Sequence, residues 1–338
     1  MFYAGYWFNT SLKSAILYMF ISVFTVSGNA FVILVFILDP YKQLRTLQNY
    51  YIFSLSCSDM LMGLAAEPLL IATYWHYENT AENSLFLAHY LFAIISGVSS
   101  LMNMAALSVF RCIAIKMPFT HYKVITRRRV IISIMLLWMF SVQFSAVPLL
   151  GWRGRYYQLY LYGVGCVAPS IVICCAYFGI FRAIKQHSSS LQRAGTIKHH
   201  ALKAVVTREK ATAKTLLIIL GVFLAFWGPF LLVDFLMVQF PSLREDGTIH
   251  LARDITLTFT YFSSGINPVL YAWRVNQFRR AFIRLCCCGR HQRVMRRFMD
   301  TSFIPPANSN YNSGGTMDTP STRSKAIRRR DNGITTRL

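Results

Sequence analysis

Four polar side chains lie within stretches of the sequence that are otherwise almost entirely apolar. They are Asn29, Asp59, Ser100 and Asn267. Ionisable and amide side chains are costly in a hydrocarbon environment, and where they occur there they usually mark functional positions. A carboxylate, a hydroxyl and amides around a water-filled gap form an oxygen-rich site that suits a small cation. The same groups are equally typical of a polar network that only holds helices together, so spacing alone leaves both interpretations open.

Arg111 interrupts the apolar stretch MNMAALSVFRCIAI and has no acid beside it, because its neighbours are Phe110 and Cys112. A guanidinium at the edge of hydrocarbon is costly unless it has a partner or a specific role. The sequence therefore predicts that Arg111 finds its partner in another part of the chain.

Seven apolar segments carry these residues, and each is long enough to cross a membrane. The chain is 54% hydrophobic and only 14% charged, and the hydrocarbon core of a bilayer takes roughly 20 helical residues to cross. The segments are residues 15–38, 50–74, 85–115, 130–150, 157–181, 213–240 and 251–273. This pattern predicts an all-α membrane protein with a seven-transmembrane helix bundle, in which the first segment is a membrane helix and not a cleaved signal peptide.

The positive charge of the chain is unevenly distributed. The net charge of +22 comes mainly from Lys and Arg in the first, third and fifth links between segments and in the C-terminal tail. Such residues collect on the cytoplasmic side of membrane proteins, and anionic lipid headgroups account for a basic surface there. We therefore expect a multi-pass plasma-membrane protein with its N-terminus outside the cell, its C-terminus in the cytoplasm and no nucleic-acid partner.

Prolines are expected to break three of the helices. Pro169, Pro229 and Pro268 fall in the fifth, sixth and seventh segments. Each removes a backbone hydrogen bond and kinks or loosens its helix. Aromatic or polar residues flank each proline, which favours the interpretation that these positions are pivots.

Three further motifs lie outside the apolar segments. The sequence RVNQFRRAFIRLCCCGR alternates basic and apolar residues at helical spacing, which predicts a short amphipathic helix on the membrane surface. The adjacent Cys286, Cys287 and Cys288 are then expected palmitoylation sites. Asn9 lies in the glycosylation sequon FNTS, and the ending TTRL matches a peptide that a PDZ domain binds by strand addition.

An ordered set of motifs, one or more on each segment, resembles the rhodopsin-like (class A) G-protein-coupled receptors. The motifs are Gly28-Asn29, LSCSD ending at Asp59, Arg111, Trp138, Pro169 with Tyr177, FWGP at 226–229 and NPVLY at 267–271. The resemblance implies a receptor domain at residues 14–289, between an extracellular tail at 1–13 and a disordered cytoplasmic tail at 290–338.

The resemblance also implies roles for the motif residues. Asp59, Ser100 and Asn267 match a sodium site that favours the resting state, and no other cofactor is expected. The implied activation switch consists of Arg111, Tyr177, Glu209, Phe223, Trp227, Pro229, Asn267, Pro268 and Tyr271. A heterotrimeric G protein is the expected partner, engaged when the sixth helix moves outward, with arrestin and receptor kinases as further partners. No catalytic residue is expected, and the absence of an internal two-fold repeat disfavours a transporter.

The sequence departs from the family at Arg111. The family carries Asp or Glu before this arginine and Tyr after it, whereas this chain has Phe110 and Cys112. Glu209 aligns with an acid at the inner end of the sixth helix and offers Arg111 a substitute partner. Loss of one of two carboxylate partners should weaken the closed state by about 1 kcal/mol, which predicts raised ligand-free signalling. The alternative is that Phe110 marks impaired coupling to the G protein.

The ligand class is narrowed by exclusion. Retinal binding needs a lysine in the seventh segment, and residues 251–273 contain none. Ala93 stands where amine receptors carry their anchoring aspartate, which disfavours a simple monoamine. The short outer link and the sequence PLLGW at 148–152 resemble the melanocortin, lipid-mediator, cannabinoid and adenosine receptors. A peptide, a lipid and a nucleoside remain open.

The expected ligand contacts lie in the outer halves of the third, sixth and seventh segments. They are His89, Tyr90, Ala93, Ile94, Gly97, Trp227, Asp234 and Tyr261. Glu67 and Asp234 are carboxylates near the outer ends of their segments. Asp234 would favour a cationic ligand if it faces the pocket, whereas pairing with Arg244 or Arg253 at the membrane interface is the alternative. Cys166 approaches the outer face, and no extracellular disulfide is expected.

Overall fold

The computed structural model describes residues 12–75, 84–117, 121–152, 154–193, 218 and 221–286, and all regular structure within them is helical. The long helices and one shorter helix are α1 (Leu12–Leu38), α2 (Leu47–Leu61, continued through residue 75), α3 (Ser84–Lys116), α4 (Arg127–Ala146), α5 (residues 155–193), α6 (Gly221–Gln239), α7 (Gly247–Arg274) and α8 (Asn276–Cys286). Among the described residues, α1 to α6 are long and apolar enough to cross a membrane. The more polar α7 has 28 residues, so the predicted seven-helix architecture is confirmed.

A π turn lies directly before a proline in both α2 and α5. The π turns are Met62–Ala66 and Leu161–Val167, and the prolines are Pro68 and Pro169. Proline has no N–H for the carbonyl four residues earlier, and its ring collides with that carbonyl. In both helices that carbonyl lies inside the π turn, which widens the helix locally. The prediction that prolines break three helices is therefore incomplete, because Pro68 accompanies the π turn of α2 and Pro148 lies in the 3-10 turn Val147–Leu150 that follows α4.

The helices pack around α3, which contacts α2, α4 and α5, while α1 contacts α2 and α7. Two of these contacts depend on glycine. A Cβ on Gly179 of α5 would lie 2.8 Å from the Sγ of Cys112, and one on Gly28 of α1 would lie 3.1 Å from Pro268 of α7. Glycine at these positions lets the backbones approach closely, as is typical of membrane helices.

The distribution of polar and apolar side chains is the reverse of that in a soluble protein. Met135 and Met139 of α4 are 58% and 66% exposed. Asn29 and Asp59 are fully buried inside the bundle. Polar groups that point inward and apolar groups that point outward are what a bundle surrounded by lipid requires.

The predicted short helix after the seventh segment is present as α8. Phe278 is completely buried, and its ring lies 6.1 Å from that of Tyr271. Arg284 donates a hydrogen bond to the carbonyl of Pro40, 2.9 Å away, and its guanidinium lies over the ring of Tyr41. These contacts dock α8 against α7 and the link that follows α1.

Candidate functional site

The outer halves of α3, α5, α6 and α7 surround a cavity of about 110 Å³. All eight residues predicted to contact a ligand line it: His89, Tyr90, Ala93, Ile94, Gly97, Trp227, Asp234 and Tyr261. The structure therefore brings the whole predicted set together, and the role of these residues in ligand binding stays a prediction.

The cavity also has apolar walls that the sequence reasoning missed. Phe230 and Leu231 of α6 line it, as do Leu257 and Thr260 of α7. Phe230 and Leu231 follow Trp227 by three and four positions, the spacing that places residues on one helix face. This periodicity in α6 and α7 was the signal that could have identified them.

Asp234 faces the cavity but is already paired inside the protein. Its Oδ1 accepts a hydrogen bond from the Nε of Arg253 at 2.9 Å, and its Oδ2 accepts one from the hydroxyl of Tyr162. The Arg253 guanidinium also lies over the ring of Phe230. The structure therefore contains a feature of each interpretation of Asp234. The residue lies in the cavity wall, and it is paired with Arg253. Its charge is balanced within the protein.

His89 is held in the cavity wall by two hydrogen bonds. Its Nδ1 lies 2.9 Å from the carbonyl of Ala66 in α2, and its Nε2 lies 3.1 Å from the hydroxyl of Tyr261 in α7. A carbonyl only accepts hydrogen bonds, so Nδ1 carries the proton, and the Tyr261 hydroxyl can then donate to Nε2. Both nitrogens of a neutral imidazole are satisfied in this arrangement, which links α2, α3 and α7.

Trp227 forms the floor of the cavity. Its Nε1 donates a hydrogen bond to the hydroxyl of Ser263 at 3.1 Å, and its ring stacks on Phe223 at a centroid distance of 5.3 Å. The indole lies so close to α3 that a Cβ on Gly97 would be 2.3 Å from its Cη2. Gly97 is therefore the residue that allows α6 to rest against α3 at this level.

A polar centre lies deeper in the bundle. Ser100 donates a hydrogen bond to the Oδ1 of Asp59 at 3.2 Å, and Asn267 donates one to its Oδ2 at 2.8 Å. The Nδ2 of Asn29 donates to the carbonyls of Thr25 and Ser264 at 2.9 and 3.0 Å. The three residues predicted to form a cation site thus meet at one point, where α2, α3 and α7 converge.

The donor set at this point fits a small hard cation. The Asp59 carboxylate and the Ser100 hydroxyl offer the oxygen ligands that such cations prefer. Within the described residues, no group of three or more His, Cys, Asp or Glu is arranged to hold a metal ion. A site here would therefore rely on one carboxylate together with neutral oxygens.

Arg111 lies near the inner end of α3 and is 9% exposed. Tyr177 of α5 lies close to Arg111 and Ser108, so two of the predicted switch residues are neighbours. Glu209, the predicted partner of Arg111, lies outside the described residues, as do Asn9, Cys287 and Cys288. The proposed Arg111–Glu209 pair therefore stays a prediction.

Phe110 points towards α2 and α4. Its ring lies 6.2 Å from that of Tyr51 in an edge-to-face arrangement, and it lines an apolar cleft of about 580 Å³ between α3, α4 and α5. The hydroxyl of Tyr51 in turn lies 2.8 Å from that of Ser133. The residue that replaces the family's acid therefore packs as part of the apolar core.

The remaining predicted switch residues lie on α6 and α7. Pro229 is an exposed residue within α6, and Pro268 lies inside α7 against Gly28. Tyr271 is buried next to Phe278. Cys166, expected to approach the outer face, lines the cavity.

A family model described as 7 transmembrane receptor (rhodopsin family) matches residues 28–271. The chain belongs to this family. The receptor is therefore a multi-pass membrane protein that binds a ligand and couples to a G protein, and it is not an enzyme. The resemblance stated from its sequence motifs is confirmed.

Several known receptors are similar to this receptor over most of its length. The histamine H2 receptor of Cavia porcellus is 28% identical over 81% of this chain and 79% of its own. The adenosine receptor A2b of Canis lupus familiaris is 27% identical over 78% and 86%, and the alpha-1A adrenergic receptor of Oryzias latipes is 26% identical over 80% and 67%. The crystal structure of squid rhodopsin matches with a TM-score of 0.72 and 22% identity, covering 89% of this chain and 96% of that one.

These relatives do not select a ligand class. Their names include a receptor for histamine, which is an amine, and a receptor for adenosine, which is a nucleoside. The expectation against a monoamine gains no support from them. The structural match to squid rhodopsin supports the fold alone.

Proposed function

We propose that the receptor binds an extracellular ligand in the cavity above Trp227 and activates a heterotrimeric G protein through outward movement of α6. Trp227 is the observation that carries this proposal, because the ring that forms the cavity floor also holds α6 against Gly97 of α3. A ligand that presses on this floor changes the contact that keeps α6 in place. The N-terminus then lies outside the cell, and the C-terminus meets the G protein.

A substitution that fills the cavity tests where the ligand binds. Ala93→Phe should abolish the response to an activating ligand, found by screening peptides, lipids, nucleosides and amines, without abolishing ligand-free nucleotide exchange on the G protein. Leu136→Phe on the exposed surface of α4 is the matched control and should leave the response unchanged. A response that survives Ala93→Phe would place the ligand elsewhere.

We further propose that the ligand is uncharged, of lipid-like or nucleoside-like chemistry. The cavity walls are mainly apolar, and the Asp234 carboxylate is already neutralised by Arg253. An ammonium ligand would have to compete with this internal ion pair, whereas an apolar ligand leaves it intact. Ala93 also provides no anchor for an amine.

The double variant Asp234→Asn/Arg253→Gln tests this ligand class without leaving an unpaired charge. For an uncharged ligand, the concentration that gives half of the maximal response should change by no more than a few-fold. An amine anchored on Asp234 would lose about 1.5–3 kcal/mol, or roughly 10- to 150-fold in potency. A loss of that size would overturn the proposal.

Raised ligand-free signalling is proposed as a consequence of Phe110. The family carries a carboxylate at this position, whereas the Phe110 ring has no charge and packs towards Tyr51. Phe110→Asp should lower ligand-free exchange about five-fold, which corresponds to about 1 kcal/mol, relative to Phe110→Asn. That control has the same shape without the charge. If coupling is instead impaired, wild-type exchange will equal the receptor-free background and Phe110→Asp will raise it.

Further roles are proposed for other motif positions. Asp59, Ser100 and Asn267 would hold a sodium ion that favours the resting state, since the Ser100 hydroxyl and the Asn267 amide both meet the Asp59 carboxylate. Cys286 ends α8, where palmitoylation of the adjacent cysteines would anchor the helix to the membrane surface. Arrestin, receptor kinases and a PDZ-domain protein are proposed partners of the cytoplasmic tail.

A further inference from the structure

Glu67 is a completely buried carboxylate that none of the roles above uses. Its exposed fraction is 0%, and neither carboxylate oxygen has a hydrogen-bond partner among the described residues. It was expected near the outer end of its segment, and its side chain lies inside the bundle in α2, next to Ala66. An acidic group in this state needs a compensating ligand.

The π turn of α2 explains why Glu67 points inward. Eight residues separate it from Asp59, which in a regular helix of 3.6 residues per turn would place it about a quarter turn away. The π turn at Met62–Ala66 takes up one extra residue. The remaining seven make about two full turns, so Glu67 lies above Asp59 on the buried side of the helix. Pro68, which accompanies the π turn, thereby helps to place an acid in the core.

The surroundings of Glu67 are closed by α1. The side chain of Thr25 faces the carboxylate, and its own hydroxyl oxygen also has no hydrogen-bond partner among the described residues. One turn below, Ser22 donates to the carbonyl of Gly63 at 2.8 Å, and a Cβ on Gly63 would lie 3.1 Å from Thr25. The two helices are therefore in close contact around this group.

The titratable side chains around Glu67 are Tyr18 of α1, Asp59 of α2, His89 of α3 and Tyr261 of α7. None of them places a positive charge on the carboxylate, because His89 is hydrogen-bonded as a neutral imidazole. Arg253, which faces the cavity, is paired with Asp234. An ionised Glu67 would thus add a second negative charge to the buried side of α2.

A proton is the ligand that can neutralise the buried Glu67 carboxylate with the smallest number of additional polar groups around it. Burial of an ionised carboxylate without compensation is far more costly than burial of the neutral acid. A hard metal cation takes about six oxygen ligands, whereas the cluster around Glu67 is largely apolar and includes Met62, Ala66 and Leu70. A protonated Glu67 can donate its O–H to Thr25, whose hydroxyl can donate to the other carboxyl oxygen. One proton then satisfies groups that otherwise have no partner.

We propose that Glu67 is a buried proton-binding site at the junction of α1, α2 and α7, separate from the Asp59 centre, and that its proton stabilises the resting packing of these helices. Loss of the proton places a charge directly behind the cavity wall, next to the Ala66 carbonyl that holds His89. The resting state therefore weakens as the pH rises. This site does not depend on the identity of the extracellular ligand.

Infrared spectroscopy of the full-length receptor in membranes detects this proton directly. A protonated carboxylic acid gives a C=O stretching band that an ionised carboxylate lacks. We expect the band in the wild type near neutral pH, its loss in Glu67→Gln and its retention in Thr25→Val at a shifted frequency. Asp59→Asn is the comparison variant, because it shows whether Asp59 contributes to the same band.

Thermal unfolding provides the second measurement. An ordinary glutamate ionises at about pH 4.3, so above that pH the folded receptor holds one proton more than the unfolded chain, and stability must fall as pH rises. As the pH rises above about 4.3, the unfolding temperature of the wild type should therefore decrease more steeply than that of Glu67→Gln, until the buried proton is lost. Glu67→Met, of similar length and without charge, should behave like Glu67→Gln.

Three results would overturn the proposal. The first is a carboxylic acid band that is absent from the wild type or unchanged in Glu67→Gln. The second is an equal pH slope in wild type and both variants. The third is a stabilisation by sodium over choline, at fixed ionic strength, that Glu67→Gln abolishes, because it would show that a metal cation and not a proton balances the charge. If neither variant folds, the band of the wild type followed against pH decides the question.

Discussion

Gly97→Ala tests most directly whether the Trp227 ring holds α6 against α3. A Cβ at position 97 would lie 2.3 Å from Cη2 of Trp227 and 3.1 Å from Cζ2 and Cζ3. Carbon atoms in ordinary contact are about 3.5–4.0 Å apart, so the ring must move by more than about 1 Å. The Nε1 bond to Ser263 and the stacking on Phe223 resist this movement.

The size of the effect follows from the cost of crowding this contact. Overpacking a close-packed site costs about 1–3 kcal/mol, and weakening the bond to Ser263 adds about 0.5–1.5 kcal/mol. Trp227 lies on α6, so this cost falls on the closed arrangement and is relieved when α6 moves outward. Together these costs amount to a shift of about 1.5–4.5 kcal/mol, which raises the ratio of open to closed receptor about 10- to 2,000-fold.

Ligand-free nucleotide exchange on a purified G protein, normalised to the amount of folded receptor, measures this shift. Gly97→Ala should raise exchange at least several-fold over wild type. Gly163→Ala is the matched control, since a Cβ there meets nothing within 4 Å. In a Trp227→Phe background the six-membered ring of the indole is gone, so Gly97→Ala should have little further effect.

Two outcomes would refute this reasoning. One is wild-type exchange in a Gly97→Ala receptor that folds normally, which would mean that the ring relaxes without releasing α6. The other is an equal effect of Gly97→Ala with and without the Trp227 indole, which would assign the effect to the α3 backbone.

Two further predictions concern acidic groups, Asp59 in the centre of the bundle and Asp246 at the start of α7. Replacing choline by sodium at fixed ionic strength should lower ligand-free nucleotide exchange several-fold in the wild type but not in Asp59→Asn. An equal response to sodium in both receptors would contradict the proposed cation site. Asp246 caps the start of α7, where its Oδ1 accepts a hydrogen bond from the Thr248 N–H at 2.7 Å. The hydrogen bonds from Thr248 lower the pKa of Asp246, so its stabilising effect is present at neutral pH and is lost as the pH falls through the lowered value. Asp246→Ala should therefore lower the unfolding temperature more at neutral pH than under strongly acidic conditions. Asp246→Asn keeps a hydrogen-bond acceptor and should lower it less. A decrease in the unfolding temperature of Asp246→Ala that does not depend on pH would contradict this account.

The sequence was sufficient for the seven-helix architecture and for most of the cavity wall. Membrane spans are encoded locally, because roughly 20 consecutive apolar residues are needed to cross the bilayer. Motif positions along α3, α6 and α7 identified eight residues that do line one cavity. The further wall residues Phe230 and Leu231 follow the same helical spacing, so they could have been predicted from the sequence in the same way.

Contacts between helices were decided only by the tertiary structure. Asp234 carried two open interpretations until Arg253, on a different helix, was seen paired with it. The orientation of Phe110 towards Tyr51 and the contact of Gly97 with Trp227 also depend on neighbours far away in the chain. A sequence records which residue types are present, but the partner of each group depends on how the helices rotate and pack.

Glu67 shows the same limit within a single helix. Its place eight residues after Asp59 predicts a different helix face, and only the π turn at Met62–Ala66 brings both acids to the buried side. The sequence by itself determined that α2 crosses the membrane and carries two acids. The tertiary structure decided that both face the core, because one added residue in one turn rotates everything that follows it.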